Sequence, residues 1–192
     1  MPAVLFDLDG VILHYPPDRL ARIAADHGLH PTDLTSAAFA PALLHPLVTG
    51  ALSHADWVTR VGAAVGAPEA AARWLDGTFD VDPDVLTLMA ELRASGVRVG
   101  ILTNGTDATA GQLAGTGVLE AVDALVCTAD IGVAKPDAEA YQAACRALAT
   151  DPALTFFTDD TPANVRGARR AGLHAEDFVD VDTLRRQLGR FL

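Results

Sequence analysis

The chain has 192 residues, 50% of them hydrophobic, with a formal net charge of −11 and a pI near 4.7. That length supports one full core plus an insertion or a small second domain, and acidity without a compensating basic run argues against nucleic acid or an anionic membrane as partner. The sequence has no stretch of eighteen apolar residues and no basic N-terminal region leading into an apolar core, so a cytoplasmic protein without membrane association is expected.

The first element is a strand over residues 3–8, whose near-continuous apolar character fits a parallel sheet covered on both faces. Two carboxylates and a glycine interrupt it in Val4-Leu5-Phe6-Asp7-Leu8-Asp9-Gly10-Val11-Ile12-Leu13. An ionised carboxylate beside a buried strand needs a partner, so Asp7 and Asp9 point to a metal ion or to shared catalytic work. The plainer alternative is a strand ending in an Asp9-Gly10 turn with Asp7 exposed.

From Pro16 the pattern turns helical. Pro16-Pro17-Asp18 opens a helix carrying Leu20, Ile23, Ala24 and His27, and Gly28 stops it. Helices follow over 32–40, 53–65 and 68–75, the second of these opened by a capping box from Ser53 to Asp56. Residues 15–81 thus read as a helical insertion, closed by the turn formers Asp80 to Pro83. Residues 1–14 and 82–192 form the core domain. There, helices over 84–94, 107–113, 137–148, 162–171 and 181–188 alternate with strands over 97–102, 124–127, 155–158 and 174–178. This alternation predicts an α/β fold: a Rossmann-like open parallel sheet with helices on both faces, joined by right-handed crossovers. Cys127 and Cys145 are too few and too far apart for a disulfide scaffold or a zinc knuckle and read as small buried residues.

Ligands of such sheets bind beyond the carboxyl ends of the strands. The residues following the strands are Asp7 to Gly10, Thr103-Asn104-Gly105 and Asp159-Asp160-Thr161-Pro162, with Lys135 in the loop before a helix opened by Pro136. Singly, Thr103-Asn104-Gly105 reads as a turn and Asp159-Asp160 as a helix N-terminus favouring negative charge; together they mark one site. Of the 14 basic residues 13 are arginine, and Lys135 is the single lysine. A compact ammonium and a planar guanidinium are not interchangeable where one oxygen must be met in a tight space.

The residue types define the chemistry. Asp7, Asp9, Asp159 and Asp160 against Lys135 leave a net charge of −3, which repels an anionic substrate. Mg2+, a hard ion held by one or two carboxylates together with substrate phosphate, brings the charge to −1, and one protonated acid brings it to neutrality. One carboxylate is then free to act as nucleophile, and a second, two residues away and protonated, as general acid. The six histidines form no zinc-ligand spacing, and neither a dinucleotide-binding glycine pattern nor a serine-hydrolase elbow is present.

Phe6-Asp7-Leu8-Asp9-Gly10-Val11, Leu102-Thr103-Asn104, Lys135-Pro136 and Phe157-Thr158-Asp159-Asp160-Thr161-Pro162-Ala163-Asn164 resemble, in order, the four signature motifs of the haloacid dehalogenase (HAD) superfamily. The insertion resembles the small all-helical cap that one subgroup places between the first and second motifs, and Gly50 with Ser53 to Trp57 is similar to a segment of that cap. The resemblance implies Asp7 as the nucleophile forming an aspartyl-phosphate, and Asp9 as the acid and base whose backbone carbonyl also ligates Mg2+. It implies Thr103 and Lys135, with Asn104 in support, as holders of the phosphoryl oxygens. Asp160 would complete the metal site with Asp159 beside it, directly or through water, and Asn164, where many members carry another acid, would support from behind.

Members that displace halide lack an acid at the second position, so Asp9 favours phosphate chemistry and a small phosphorylated metabolite as substrate. Two alternatives stay open. A sugar phosphomutase is the nearer one, although His14-Tyr15-Pro16-Pro17 stands where mutases of similar architecture carry Asp-Thr or Asp-Ser; the other is a non-catalytic binding or regulatory module on the same scaffold. The insertion and residues 13–17 are expected to close over the leaving group. His14, Tyr15, His45, Trp57 and Trp74 are candidate contacts there, with packing or surface roles as the competing reading for each.

Overall fold

The computed structural model describes residues 1–192. β1 (Ala3–Phe6) leads to β2 (Leu13–His14), then to α1 (Arg19–Asp26), α2 (Pro31–Ala38), α3 (Pro41–Val48), α4 (His54–Val65) and α5 (Pro68–Leu75), and back through β3 (Asp80–Val81). The remainder alternates as α6 (Pro83–Ala94), β4 (Arg98–Thr103), α7 (Thr109–Leu113), β5 (Ala124–Cys127), α8 (Thr128–Ile131), α9 (Ala138–Ala147), β6 (Thr155–Asp159), α10 (Pro162–Arg170), β7 (His174–Asp177) and α11 (Val181–Phe191). No helix is long and apolar enough to cross a membrane.

Five strands form one parallel sheet in the order β5-β4-β1-β6-β7, with β1 at its centre. Side chains alternate between the two faces of a strand. Val4 and Phe6 therefore join Ile101 and Phe156 in a core covered by α6 and α11. Ala3 and Leu5 join Phe157 in a second core covered by α9 and α10. Helices thus lie on both faces, as a Rossmann-like α/β fold requires, and Cys127 and Cys145 are buried free thiols.

The helical insertion carries its own apolar clusters. Leu47, Trp57, Val61 and Ala71 form one and Ile23, Ala24, Leu34 and Ala70 another. At the α4–α5 contact a Cβ on Gly62 would lie 2.7 Å from Pro68 Cα, so a glycine there allows the two backbones to approach. Antiparallel pairing of Leu13 with Val81 and His14 with Asp80 ties the outgoing and returning chain together.

Several local expectations are corrected. The first strand ends at Phe6 rather than at residue 8, because Leu8 O takes the N–H groups of Ile12 and Leu13 at 2.8 and 2.9 Å and folds the chain into a tight loop. No helix was expected over 41–48, where α3 forms. Pro41 sits in the first turn, where a missing N–H has no cost, and Pro46 removes one bond from a two-turn helix that buries Leu47 and Val48. β2 and β3 were too short to register as strands, and the four-residue α8 carries no periodicity. Only half of the capping box formed at Ser53, whose side chain accepts from the Asp56 N–H. A reciprocal box opens α2 instead, with His30 Nδ1 accepting from the Thr32 N–H and Asp33 accepting from the His30 N–H.

β4 is anchored at its start by Asp123, whose N–H donates to Val99 O (2.7 Å) and whose carboxylate accepts from the Val99 N–H (2.8 Å) and from Arg93 (2.8 Å). Burial raises this carboxyl, but the Val99 N–H and Arg93 outweigh it and hold it below the ordinary range. A depressed folded-state pKa stabilises above the unfolded value and is lost as pH falls through the folded one. Asp123→Ala is expected to cost about 1–2 kcal/mol at neutral pH. The difference from wild type should shrink below about pH 4, as urea unfolding at pH 7 and pH 3 will read.

Candidate active site

The sheet register builds the site. Phe6 pairs with Thr158, so the next residue of each strand sets Asp7 beside Asp159, and the Asp7 N–H donates to Thr158 O at 2.9 Å. Both carboxylates follow Leu5 and Phe157 on the same face of the sheet. Lys135 reaches between them from the loop before α9, with Nζ at 2.6 Å from Asp7 Oδ1 and 2.7 Å from Asp159 Oδ2 and lying over the Phe157 ring. All three side chains are buried.

The lysine is fixed by its neighbours. Asn104, just past β4, accepts from the Lys135 N–H (2.8 Å) and donates to the Lys135 carbonyl (3.1 Å), clamping its backbone as a strand partner would. Both its amide atoms are engaged there. Behind the loop, a Cβ on Gly167 would lie 2.6 Å from Pro136 O, so α10 packs directly on Lys135-Pro136. Asp159 also accepts from the Thr161 N–H (2.8 Å) and from Asn164 Nδ2 on both oxygens (3.1 and 3.0 Å). Asn164 in turn is held by Tyr141, whose hydroxyl donates to its carbonyl at 2.7 Å.

Asp160 differs from Asp159. It is exposed, and its Oδ1 accepts only from Thr161 Oγ1 at 3.2 Å. Gly10, at φ +79°, makes room for it, because a Cβ there would overlap Asp160 Oδ2. Asp7, Asp159 and Asp160 each offer an oxygen within 4.8 Å of the others. Three carboxylates against one ammonium form an all-oxygen, net negative donor set suited to a hard divalent cation. Burial raises the Asp7 carboxyl to about 7, with Lys135 opposing the shift and Asp159 adding to it. Ionised Asp7 is therefore a form that further positive charge would favour.

Asp9 lies outside this triad and lines a cleft of about 460 Å3 between the sheet edge and the helical insertion. Its Oδ1 accepts from the Tyr15 hydroxyl at 2.9 Å, and the surrounding protein raises its carboxyl above the ordinary range by desolvation. Thr103, buried at the end of β4, and Asn104 line the same cleft. Of the contacts expected from the insertion, Tyr15, Trp57 and Trp74 line it and His14 and His45 do not. His14 instead pairs with Asp82 at 3.3 Å, since alternation on the short β2 turns it away from Leu13. Arg19, Phe39, His54 and Phe79 also line the cleft. Sequence reading passed over them as ordinary helix and turn residues; an aromatic or arginine close to a predicted helix end was the only available signal. His54 joins the two parts of the molecule: its N–H donates to Asp107 at 2.8 Å and its Nε2 meets Asp76 at 2.7 Å.

Removing the ammonium leaves two buried carboxylates without their shared partner. Lys135→Met is expected to destabilise the protein by about 3–5 kcal/mol at neutral pH, read by urea unfolding. Lys135→Arg should not restore the loss, because a planar fork does not fit a position where one nitrogen meets both oxygens.

A family model for haloacid dehalogenase-like hydrolases matches residues 1–172. Validoxylamine A 7′-phosphate phosphatase of Streptomyces hygroscopicus subsp. limoneus is 28% identical, over 96% of this chain and 92% of its own length. A phosphoglycolate phosphatase of Cupriavidus necator is 32% identical, over 89% of this chain and 78% of its own. In fold, the chain resembles a wild-type HAD family enzyme of Bacteroides thetaiotaomicron solved with magnesium and inorganic phosphate, at a TM-score of 0.79 and 18% identity over 96% and 98% of the two chains. With a family match that spans nearly the whole chain and relatives aligned along most of their own length, this protein belongs to the haloacid dehalogenase-like hydrolases.

Proposed function

We propose that this hydrolase is a Mg2+-dependent phosphatase that cleaves a small phosphomonoester through an aspartyl-phosphate on Asp7. The observation that carries the reading is the Asp7–Lys135–Asp159 bridge beside Asp160, at the carboxyl ends of β1 and β6 and next to a cleft lined by Asp9. The matched phosphatases support it, as does the magnesium and phosphate complex of the structural relative.

Asp7 and Asp160 would hold the ion with the backbone carbonyl of Asp9. Mg2+ there would supply the positive charge that lets a phosphoryl group approach the carboxylates. Asp159 is already engaged by Lys135, Thr161 and Asn164, which suits it to fixing the lysine and acting on the ion from nearby. Asp7 attacks phosphorus, the ester P–O bond breaks, and Asp9 gives its proton to the departing oxygen. Asp9 then takes a proton from water as that oxygen attacks the acyl phosphate, releasing inorganic phosphate and restoring Asp7. Thr103 and Lys135 hold phosphoryl oxygens in both steps, and the helical insertion, acting as a cap, keeps bulk water out of the cleft. A raised Asp9 carboxyl matches the general-acid role.

Wild-type protein with Mg2+ should release phosphate from 4-nitrophenyl phosphate and stop on chelation. Asp7→Asn should abolish release, and Asp9→Asn should lower kcat by about 10²–10⁴. Turnover that survives Asp7→Asn, or no Mg2+-dependent release at all, would sink the reading. Isomerisation of a sugar phosphate without phosphate release would move it to a mutase. Gly10→Ala, which pushes on Asp160, should raise the Mg2+ concentration for half-maximal activity by about tenfold.

A further inference from the structure

The wall of the cleft facing Asp9 is aromatic. Three edge-to-face pairs, Tyr15–Phe79 (6.3 Å), Phe39–Trp74 (5.9 Å) and His54–Trp57 (5.6 Å), place all six of their members on the cleft surface. Both tryptophans of the chain are among them. Tyr15 and Phe39 remain 48% and 51% exposed, the largest exposures of any aromatic side chain here, so the protein's own packing leaves this surface uncovered. Large exposed apolar surface around a concave site marks where a ligand sits. The volume of about 460 Å3 accommodates a ring-bearing molecule and far exceeds a two-carbon acid.

Charged groups are few on this wall. Arg19 is its one permanently charged cation, and that guanidinium donates to the carbonyls of Arg73 (3.0 Å) and Trp74 at the end of α5. It is seated against Gly77, where any Cβ would overlap it. His54 has Nε2 on Asp76 and Nδ1 near Thr106 Oγ1 at 3.4 Å. Both of Arg19's bonds are made by Nη2 to neutral carbonyls, so its charge faces the cleft without a carboxylate partner.

We infer that the phosphomonoester cleaved here carries a ring-sized and largely apolar leaving group, stacked against the Phe39 and Trp74 side chains, and not a two-carbon one. This rests on the phosphatase reading above. The cleft that would take the ring is continuous with the phosphate end of the site, since Asp9, Thr103 and Asn104 line the same cavity.

The test compares kcat/KM for cyclohexylmethyl phosphate, ethyl phosphate, 2-phosphoglycolate and glucose 6-phosphate. The first two leave as primary alcohols of similar acidity, so their ratio reports binding of the ring. Cyclohexylmethyl phosphate should lead ethyl phosphate by about tenfold or more and also lead the other two. Phe39→Ala and Trp74→Leu should reduce that ratio by about threefold or more. Equal or better turnover of ethyl phosphate or 2-phosphoglycolate overturns the inference, and a lead for glucose 6-phosphate overturns its apolar character. Failure of the phosphatase reading shows separately, as no release from any ester. In that case the dissociation constants of cyclohexylmethylphosphonate and ethylphosphonate, measured calorimetrically with Mg2+, decide: tighter binding of the ring compound supports the inference, and equal binding refutes it.

Discussion

The shared ammonium of Lys135 is the interaction on which the rest of the site depends. Two carboxylates at the ends of adjacent central strands are buried 4.8 Å or less apart, and neither has enough water to remain charged alone. One nitrogen at 2.6 and 2.7 Å serves both. Such a bridge works only if the lysine cannot retreat, and contacts from three elements prevent it. Asn104 holds its backbone from β4, Gly167 lets α10 press on the following proline, Asn164 and Thr161 hold the opposite carboxylate, and Tyr141 on α9 holds Asn164. The polar network is satisfied around the lysine and left open on one side, at Asp160, where the exposed carboxylate has oxygen to offer.

The molecule divides its labour along the cleft. The sheet edge supplies charge at fixed positions, because strand register places Asp7 and Asp159 with little freedom. The helical insertion supplies shape, through aromatic side chains on α4 and α5 and on the connecting segments, joined to the core by β2, β3 and the His54–Asp107 contact. Asp9 and Tyr15, bonded to each other, both line the cleft between the two.

Most of the architecture was legible in the sequence for identifiable reasons. Buried parallel strands read as apolar runs, amphipathic helices as a period near 3.6, and proline and glycine marked their ends, so the alternation after residue 82 came out nearly complete. What escaped was short or locally inconsistent: α3 with its two prolines, α8, and the paired dipeptides β2 and β3. Their stability comes from burial of Leu47 and Val48 or from pairing with a distant partner, neither of which leaves a periodic trace. The reacting carboxylates and Lys135 were legible because charge at strand ends and a single lysine among arginines are visible without coordinates.

By itself the sequence determined the chemistry of the polar groups, since residue type and order fix what Asp7, Asp9, Lys135 and Asp160 are able to do. It also placed Asp7, Asp9 and Asp160 just past strand ends and Lys135 in a loop before a helix. Only the tertiary structure decided how those groups are shared: that Asn104 clamps the lysine backbone, that Asp159 is saturated while Asp160 is open, and that Arg19 is tied to α5. It alone gathered Phe39, Trp57, Trp74 and Phe79 onto one wall. These are contacts between residues far apart in the chain, set by how helices pack and where they end, and local composition carries no record of them.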